Sequence, residues 1–478
     1  MTAVDRAVGA LLGLACGDAV GTTLEFERPG SFAPVSDMVG GGPFGLEPGQ
    51  WTDDTSMVLC LAESIADTGD LDLTDQLRRY LLWRDEGYLS STGRLFDIGN
   101  TTSSQLERFR RTGAAVDPDP DDEAAANGSL MRLAPVPIRW HRDPSVAAAR
   151  AGESSRTTHA AARPVDSCRV LGAMVAALIA GTPPDEVLAP DFWCWGDLHP
   201  AVEAVAQGSW RDKEPPDIRG TGYCVASLEA ALWAVGGASD FRDAVLRAAN
   251  LGDDADTTAA IAGQLAGARW GASGIPESWR RTVVLRDRIE ALARVLFVAG
   301  GGEAEEVGWP HDELIHAWWV EPGLLLAGEY PGNLDPQRAD EKVNLLVDAG
   351  VRTFVDLTEP GELEPYHPLV ERAAAARRLD LRHVRFAIPD RGVVADDRYG
   401  EVLQIITEGQ RRGAVYLHCW GGVGRTGTVV GSVLAAAGAT SDEVLARLGT
   451  LRSGTRKDWR DCPENARQWA VIERRCSP

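Results

Sequence analysis

The chain has 478 residues, of which 44% are hydrophobic. That is ample for a core and too much for one compact domain at the usual ~150 residues per domain. Its formal net charge of -22 disfavours sequence-independent nucleic-acid binding, which depends on Lys and Arg neutralising phosphates; a local basic pocket for one phosphate is still compatible with it.

No apolar run reads as long enough to cross a bilayer, which takes ~20 residues. Arg6, the apolar stretch 8–15 and Cys16 imitate a secretion signal, but Asp5 and Gly13 spoil the pattern. The 8 cysteines are scattered and form no C-x-x-C pair. This speaks against a zinc site and for a reducing cytoplasm. Lysine occurs only at 213, 342 and 457, a codon signature of a GC-rich bacterial genome.

The first ~300 residues read as helical. Val4, Val8, Leu11, Leu12 and Ala15 recur at helical intervals, as do Val170, Met174, Ala177 and Leu178. Two acidic clusters, 51–57 and 252–258, each precede a helical run. The second run is rich in Ala and Gly, so that helix can pack very closely. An acidic cluster at a helix start is often only a cap. Two that converge would crowd up to five carboxylates together, and their repulsion would raise pKa values unless cations neutralised it. Hard oxygen ligands of this kind suit magnesium or manganese.

Ordered motifs extend the pattern. Gly17-Asp18-Ala19-Val20-Gly21 with Glu25 comes first, then Thr52-Asp53-Asp54, then Asp97-Ile98-Gly99-Asn100-Thr101-Thr102. Asn127-Gly128-Ser129-Leu130-Met131-Arg132, His159 after Thr157-Thr158, Gly220-Thr221-Gly222-Tyr223 and Asp254-Ala255-Asp256-Thr257 follow. Over roughly residues 4–295 this order resembles the ADP-ribosylglycohydrolases, including the dinitrogenase-reductase-activating glycohydrolases and the crystallin-like proteins. Ser129 and Ala255 depart from the family's usual residues at positions that supply no essential ligand.

The resemblance implies an all-α domain with two divalent cations, Mg2+ or Mn2+. Their ligands would be Thr52, Asp53, Asp54, Asp254, Asp256 and Thr257, with Asp256 bridging. It implies an ADP-ribosylated substrate, on a protein or a small molecule, cleaved through an oxocarbenium-like state. Glu25 is the candidate acid/base or ribose-contacting residue, or else a surface Glu. Asn127, Gly128, Ser129, His159 and Tyr223 are expected to line the cleft, although a lone His is commonly a satisfied core residue.

Composition changes near residue 300. The stretch 299–311 is small, flexible and acidic at its start, as linkers are. It separates domains expected at 1–298 and 312–478. Beyond it, short β-rich runs at 351–357, 381–388 and 414–417 alternate with helical stretches, which implies an α/β layer structure. The apolar strand ending at Leu417 leads into His418-Cys419-Trp420-Gly421-Gly422-Val423-Gly424-Arg425-Thr426, and a helix can begin near Arg425. Such a loop can aim backbone N–H groups at a phosphate, favour a Cys419 thiolate nucleophile and let Arg425 grip phosphoryl oxygens. Thr426 is placed to donate to the thiolate as it leaves.

This run resembles the HC-x5-R signature of the protein tyrosine phosphatase superfamily. Over about 312–475 the likeness is to its dual-specificity-like members, which need no metal. In that likeness Asp390, in Ile388-Pro389-Asp390-Arg391-Gly392, is the general acid, and 322–331 is the opening strand. Gln468 positions the hydrolytic water, and Trp420, Gly421, Gly422, Val423 and Gly424 form the phosphate loop. No clear phosphotyrosine-recognition loop is present. The expected whole is a bifunctional cytoplasmic hydrolase acting on an ADP-ribosylated substrate and on a phosphorylated protein or small phosphate ester. Both activities falling on one molecule is a variant of this. The alternative is a non-catalytic ADP-ribose-binding, crystallin-like module attached to an active phosphatase.

Overall fold

The protein is described by a computed structural model covering every residue except 122, 304–307, 378, 411 and 477–478. It divides into two compact units, Met1–Glu305 and Glu306–Pro478. Residues 304–307 of the expected linker lie outside the described residues. Of its described part, Ala299 closes a helix of the first unit and Trp309 is buried in the second unit's core, so these two residues belong to the units they flank.

The first unit is helical, with two isolated β-bridges among the described residues. At its centre the helices Ala3–Gly21 and Ala255–Trp270 pack along most of their lengths. Gly9, Gly13, Gly17 and Gly21 recur every four residues on one helix. They meet Gly267, Gly263, Ala259 and Ala255, also every four, on the other, running antiparallel. Ridges spaced by four on both helices interlock in this way, and here the ridges are backbone. A Cβ built on any of those four glycines of the first helix would fall within 3.0 Å of the opposing main chain. The helix ends are thereby held in register, Asp18 and Gly21 beside Asp256.

Gly17→Ala is expected to cost on the order of 3 kcal/mol, because a methyl group there can be admitted only by separating two main chains. Urea unfolding measures it. An unchanged midpoint would show that the helices can slide apart freely.

The reading that no apolar run is long enough to span a bilayer needs correction. Residues Ala3–Leu24 are long and apolar enough by length and composition, but 94% of the apolar window is buried inside the unit. Its hydrophobicity serves packing around the glycine stripe, and the stretch that imitates a secretion signal lies inside this core helix. All 8 cysteines are free thiols.

The second unit holds a five-stranded sheet of β1 (Ala317–Glu321), β2 (Leu325–Gly328), β3 (Val351–Asp356), β4 (Arg382–Arg385) and β5 (Ala414–His418). Their order across the sheet is β1-β2-β5-β3-β4. Only the β1–β2 pairing is antiparallel. The stretch read as one opening strand, 322–331, is the second arm of a hairpin whose first arm the sequence reading missed. β4 is shorter than its apolar run, although Phe386 N and Ile388 N still donate to Asp356 and Leu357 carbonyls. Central β5 is buried throughout, as a parallel strand covered on both faces must be. Helix Gly424–Ala436 follows it directly. The loop Cys419–Val423 thus lies where the carboxyl ends of parallel strands meet a helix N-terminus, the usual site of function in such sheets.

Two candidate catalytic sites

In the first unit both acidic clusters start helices, Asp53–Thr68 and Ala255–Trp270, with Thr52 and Asp254 as the N-cap residues. Asp18 joins them. Its two carboxylate oxygens accept from the N–H and hydroxyl of Thr52 (2.9 and 3.0 Å) and of Thr55 (3.0 and 2.7 Å). That commits Asp18 to capping the second helix from the end of the first. Thr52 Oγ1 also lies 3.1 Å from Asp256 Oδ2, and Thr257 Oγ1 lies 3.4 Å from Asp54 Oδ1. The two clusters therefore converge.

Two carboxylate triplets result, Asp53–Asp54–Asp256 and Glu25–Asp97–Asp256, each with oxygens within 4.8 Å of one another. Asp256 belongs to both. Glu25 Oε2, Asp54 Oδ2 and Asp256 Oδ1 are buried with no hydrogen-bond partner. Burial first, and then the neighbouring carboxylates, push Asp53, Asp54 and Asp256 well above the usual carboxylate range and Glu25 up to about 10. Stranded acceptors of one sign, with hard oxygen donors and no histidine pair, fit divalent cations of the magnesium class.

The cavity over this cluster has a volume of about 870 Å³, within the range of small-molecule sites. Glu25, Asp53, Asp254, Asp256, Thr257, Asn127, Gly128 and His159 line it, as does Asp97. Asn127 spends its amide N–H groups on Asp254 Oδ2 (2.7 Å) and Ser227 Oγ (2.9 Å), so it orients a carboxylate. Gly128 leaves little room for a side chain, since a Cβ would meet the His159 ring at 3.0 Å. His159 is buried and bonded to Thr158 Oγ1 at 2.7 Å. Burial, then Arg132, hold it down at about 3, so it is neutral.

Two residues expected in the cleft are not on its wall. Ser129 Oγ is enclosed with Ser155 and Cys168, in a turn that buries it. Tyr223 is half-exposed beside Arg163, outside the cavity lining. Asp97 was visible in the sequence only as part of a motif. Its position one short turn before helix Asn100–Thr112 was the available signal.

In the second unit, helix Gly424–Ala436 begins at Val423 without any side-chain cap. Its first N–H groups, which have no acceptor inside a helix, adjoin the loop around Cys419. Gly422 has φ +72°, and a Cβ there would collide with Gly328. The loop can therefore fold back against β2 only with glycine. Cys419, Trp420, Gly421, Val423, Gly424, Arg425 and Asp390 line a cavity of about 370 Å³.

Arg425 ties this site together. Its two Nη atoms lie 2.7 and 2.6 Å from the Glu362 carboxylate, Nη1 donates to Ile388 O at 3.1 Å, and Nη2 sits 3.2 Å from Asp390 Oδ1. The outer end of the fork is thus committed to Glu362. Glu362 escaped the sequence reading, although it follows the carboxyl end of a parallel strand. Glu362→Gln is expected to lower phosphate release about tenfold by loosening the guanidinium; steady-state kinetics check it, and unchanged kcat/KM would show that Ile388 and Asp390 suffice.

Behind the loop, His418 is fully buried, with Nε2 2.6 Å from Tyr366 Oη. Burial holds it at about 4, so it is uncharged. Thr426 Oγ1 is buried without a partner, and Gln468 accepts from Glu464 N at 3.0 Å beside Gly424. Neither is on the cavity wall; both stand behind the loop.

The two arrangements define a helical unit with an acidic, cation-fitting cleft and an α/β unit of phosphatase type. The chain belongs to the ADP-ribosylglycohydrolase family, whose description matches residues 1–305, and residues 316–467 match the DSP-PTPase phosphatase domain of Swiss Army Knife proteins. ADP-ribosylarginine hydrolase Tri1 of Serratia proteamaculans (strain 568) is 45% identical over 294 residues, 62% of this chain and 79% of that protein. ADP-ribosyl-[dinitrogen reductase] glycohydrolase of Rhodospirillum rubrum is 34% identical over 279 residues, 58% of this chain and 89% of that protein. A solved structure, an ADP-ribosylglycohydrolase-related protein complex, has 41% identity and a TM-score of 0.56, covering 62% of this chain and 99% of its own.

Proposed function

We propose that the protein is a bifunctional hydrolase that removes ADP-ribose from arginine with two divalent cations and releases phosphate from monoesters through Cys419. The observation that carries the first activity is the pair of carboxylate triplets sharing Asp256. Thr52, Asp53, Asp54, Asp254, Asp256 and Thr257 would hold the cations, and Mg2+ or Mn2+ would supply positive charge to ribose hydroxyls and to an attacking water. Asn127 fixes Asp254, and Asp18 fixes Thr52 and the helix behind it. Water adds to the anomeric carbon as its bond to the guanidine nitrogen breaks. Glu25, next to Asp97, would take the water proton once the cations' charge has lowered its pKa, and would pass it to the departing guanidine nitrogen. The relative named an ADP-ribosylarginine hydrolase supports arginine as the acceptor.

In the second unit the Cys419 thiolate attacks phosphorus as the ester P–O bond breaks, and Asp390 protonates the leaving oxygen. Water then releases phosphate and restores the thiolate. Supporting this is the uncapped helix N-terminus beside Cys419, with Arg425 in its first turn.

The test is ADP-ribose release from an ADP-ribosylarginine peptide by the full chain, with Mg2+, with Mn2+ and with EDTA. Release that needs the cation is expected. Binding of ADP-ribose without release, under all three conditions, would support a crystallin-like binding module instead.

A further inference from the structure

The cavity around Cys419 does not end at its loop. Arg391, Arg460 and Glu464 form part of its wall and also part of the wall of a second concavity of about 440 Å³, which continues past Trp459 and Asn465. Both spaces are of the size that small ligands occupy.

The shared wall is built around Arg391. This residue has φ +52°, a left-handed conformation that non-glycine residues seldom adopt. Asn465 Nδ2 donates to its carbonyl at 3.2 Å, and the next residue, Gly392, closes a turn on Pro389 O at 2.8 Å. Such a backbone persists where its surroundings impose it, commonly at a ligand clamp.

The neighbouring cations are spoken for, Arg460 by Glu464 and Lys457 by Glu329. Among the described residues Arg391 makes no ion pair. Beyond it stands Trp459, 78% exposed, while Trp420, 60% exposed, borders the Cys419 side. An uncompensated guanidinium meets a phosphate with charge-assisted hydrogen bonds, and an exposed indole offers a stacking face to a base.

We propose that the Cys419 site takes a nucleotide bearing two phosphate groups. The scissile phosphate lies in the loop, the second against Arg391, and the base on Trp459. This rests on the reading of the second unit as a phosphatase. The reaction is the same hydrolysis: the sulfur–phosphorus bond forms as the ribose P–O bond breaks, Asp390 gives its proton to the ribose oxygen, and water releases inorganic phosphate.

The experiment measures phosphate release by the full chain from p-nitrophenyl phosphate, adenosine 5′-monophosphate, adenosine 3′,5′-bisphosphate and a phosphotyrosine peptide. The bisphosphate is expected to exceed the monophosphate in kcat/KM by about tenfold, the worth of one charge-assisted contact. Arg391→Asn, which keeps a residue tolerant of positive φ, and Trp459→Ala should each remove most of that advantage. Arg391→Lys should restore part of it, and in Trp459→Ala, whose side chain is outside the Cys419 cavity wall, p-nitrophenyl phosphate should change less than about twofold. Equal rates on the two nucleotides would overturn the proposal, as would an equal loss on p-nitrophenyl phosphate in Trp459→Ala. A preference for the peptide that Trp459→Ala abolishes would make the groove a protein-docking surface and overturn it too. Failure of the wild type to hydrolyse p-nitrophenyl phosphate, or hydrolysis that survives Cys419→Ser, would remove the phosphatase reading itself.

Discussion

Asp256→Asn is expected to lower ADP-ribose release by at least ~10³-fold and, in the same protein, to abolish the rise in melting temperature caused by Mg2+ or Mn2+. Both effects follow from one position. Asp256 is the member common to the two carboxylate triplets, and its Oδ1 is buried without a partner. The amide keeps the shape and one acceptor oxygen, but it presents N–H groups where a cation needs lone pairs. Loss of a shared ligand should remove most of the transition-state stabilisation; ~10³ in rate is only about 4 kcal/mol.

The stability readout has an unusual sign. In EDTA the variant should melt at or above the wild-type temperature, because one of several mutually repelling buried carboxylates is gone. With cation present at ~100 times its dissociation constant the wild type gains about 2.7 kcal/mol by mass action, and the variant does not. A variant that is destabilised in EDTA yet still responds to the cation would show that Asp256 is a packing residue and that the cations bind elsewhere.

Arg425→Lys is the second large effect: phosphate release is expected to fall about 10³-fold while ADP-ribose release is unchanged. A lysine reaches an anion as a point charge and cannot hold the planar set of contacts to Glu362, Ile388 O and Asp390 at once. The acid loop then loses its tie to the phosphate loop, so kcat falls as well as affinity. Because each unit has its own core, ADP-ribose release reports only the first, and an unchanged melting transition of the second unit is the check that Arg425→Lys leaves it folded. Loss of that transition would mark a folding defect and refute the local account.

Some of this was legible in the sequence because the chemistry is carried by adjacent residues. Cys419 through Arg425 is one loop, and Thr52–Asp54 and Asp254–Thr257 are each one helix start, so spacing alone exposes them. The Ala- and Gly-rich composition of 258–268 likewise announced a close helix contact. Residues that act from a distance were not legible. Glu362 reaches Arg425 across 63 positions, and Asp97 joins Glu25 and Asp256 only through the tertiary fold. Ser129 misled because a motif fixes sequence order but not the direction a side chain takes from its turn. The strand Ala317–Glu321 was missed because two adjacent tryptophans hide its alternation.

The glycine stripe between the first and last of the acidic-site helices acts as a spacer of fixed width. Asp18 and Asp256 are carried on opposite sides of that contact, and Thr52 Oγ1 lies between them, 3.0 and 3.1 Å from the two carboxylates. A substitution that widens the contact by one methyl group therefore opens the gap between the two acidic clusters. Hydrogen bonds and hard-cation coordination tolerate far less displacement than an apolar core does. Catalysis should consequently be the more sensitive gauge of this interface: partial widening, too mild to unfold the unit, would already disconnect the two halves of its site.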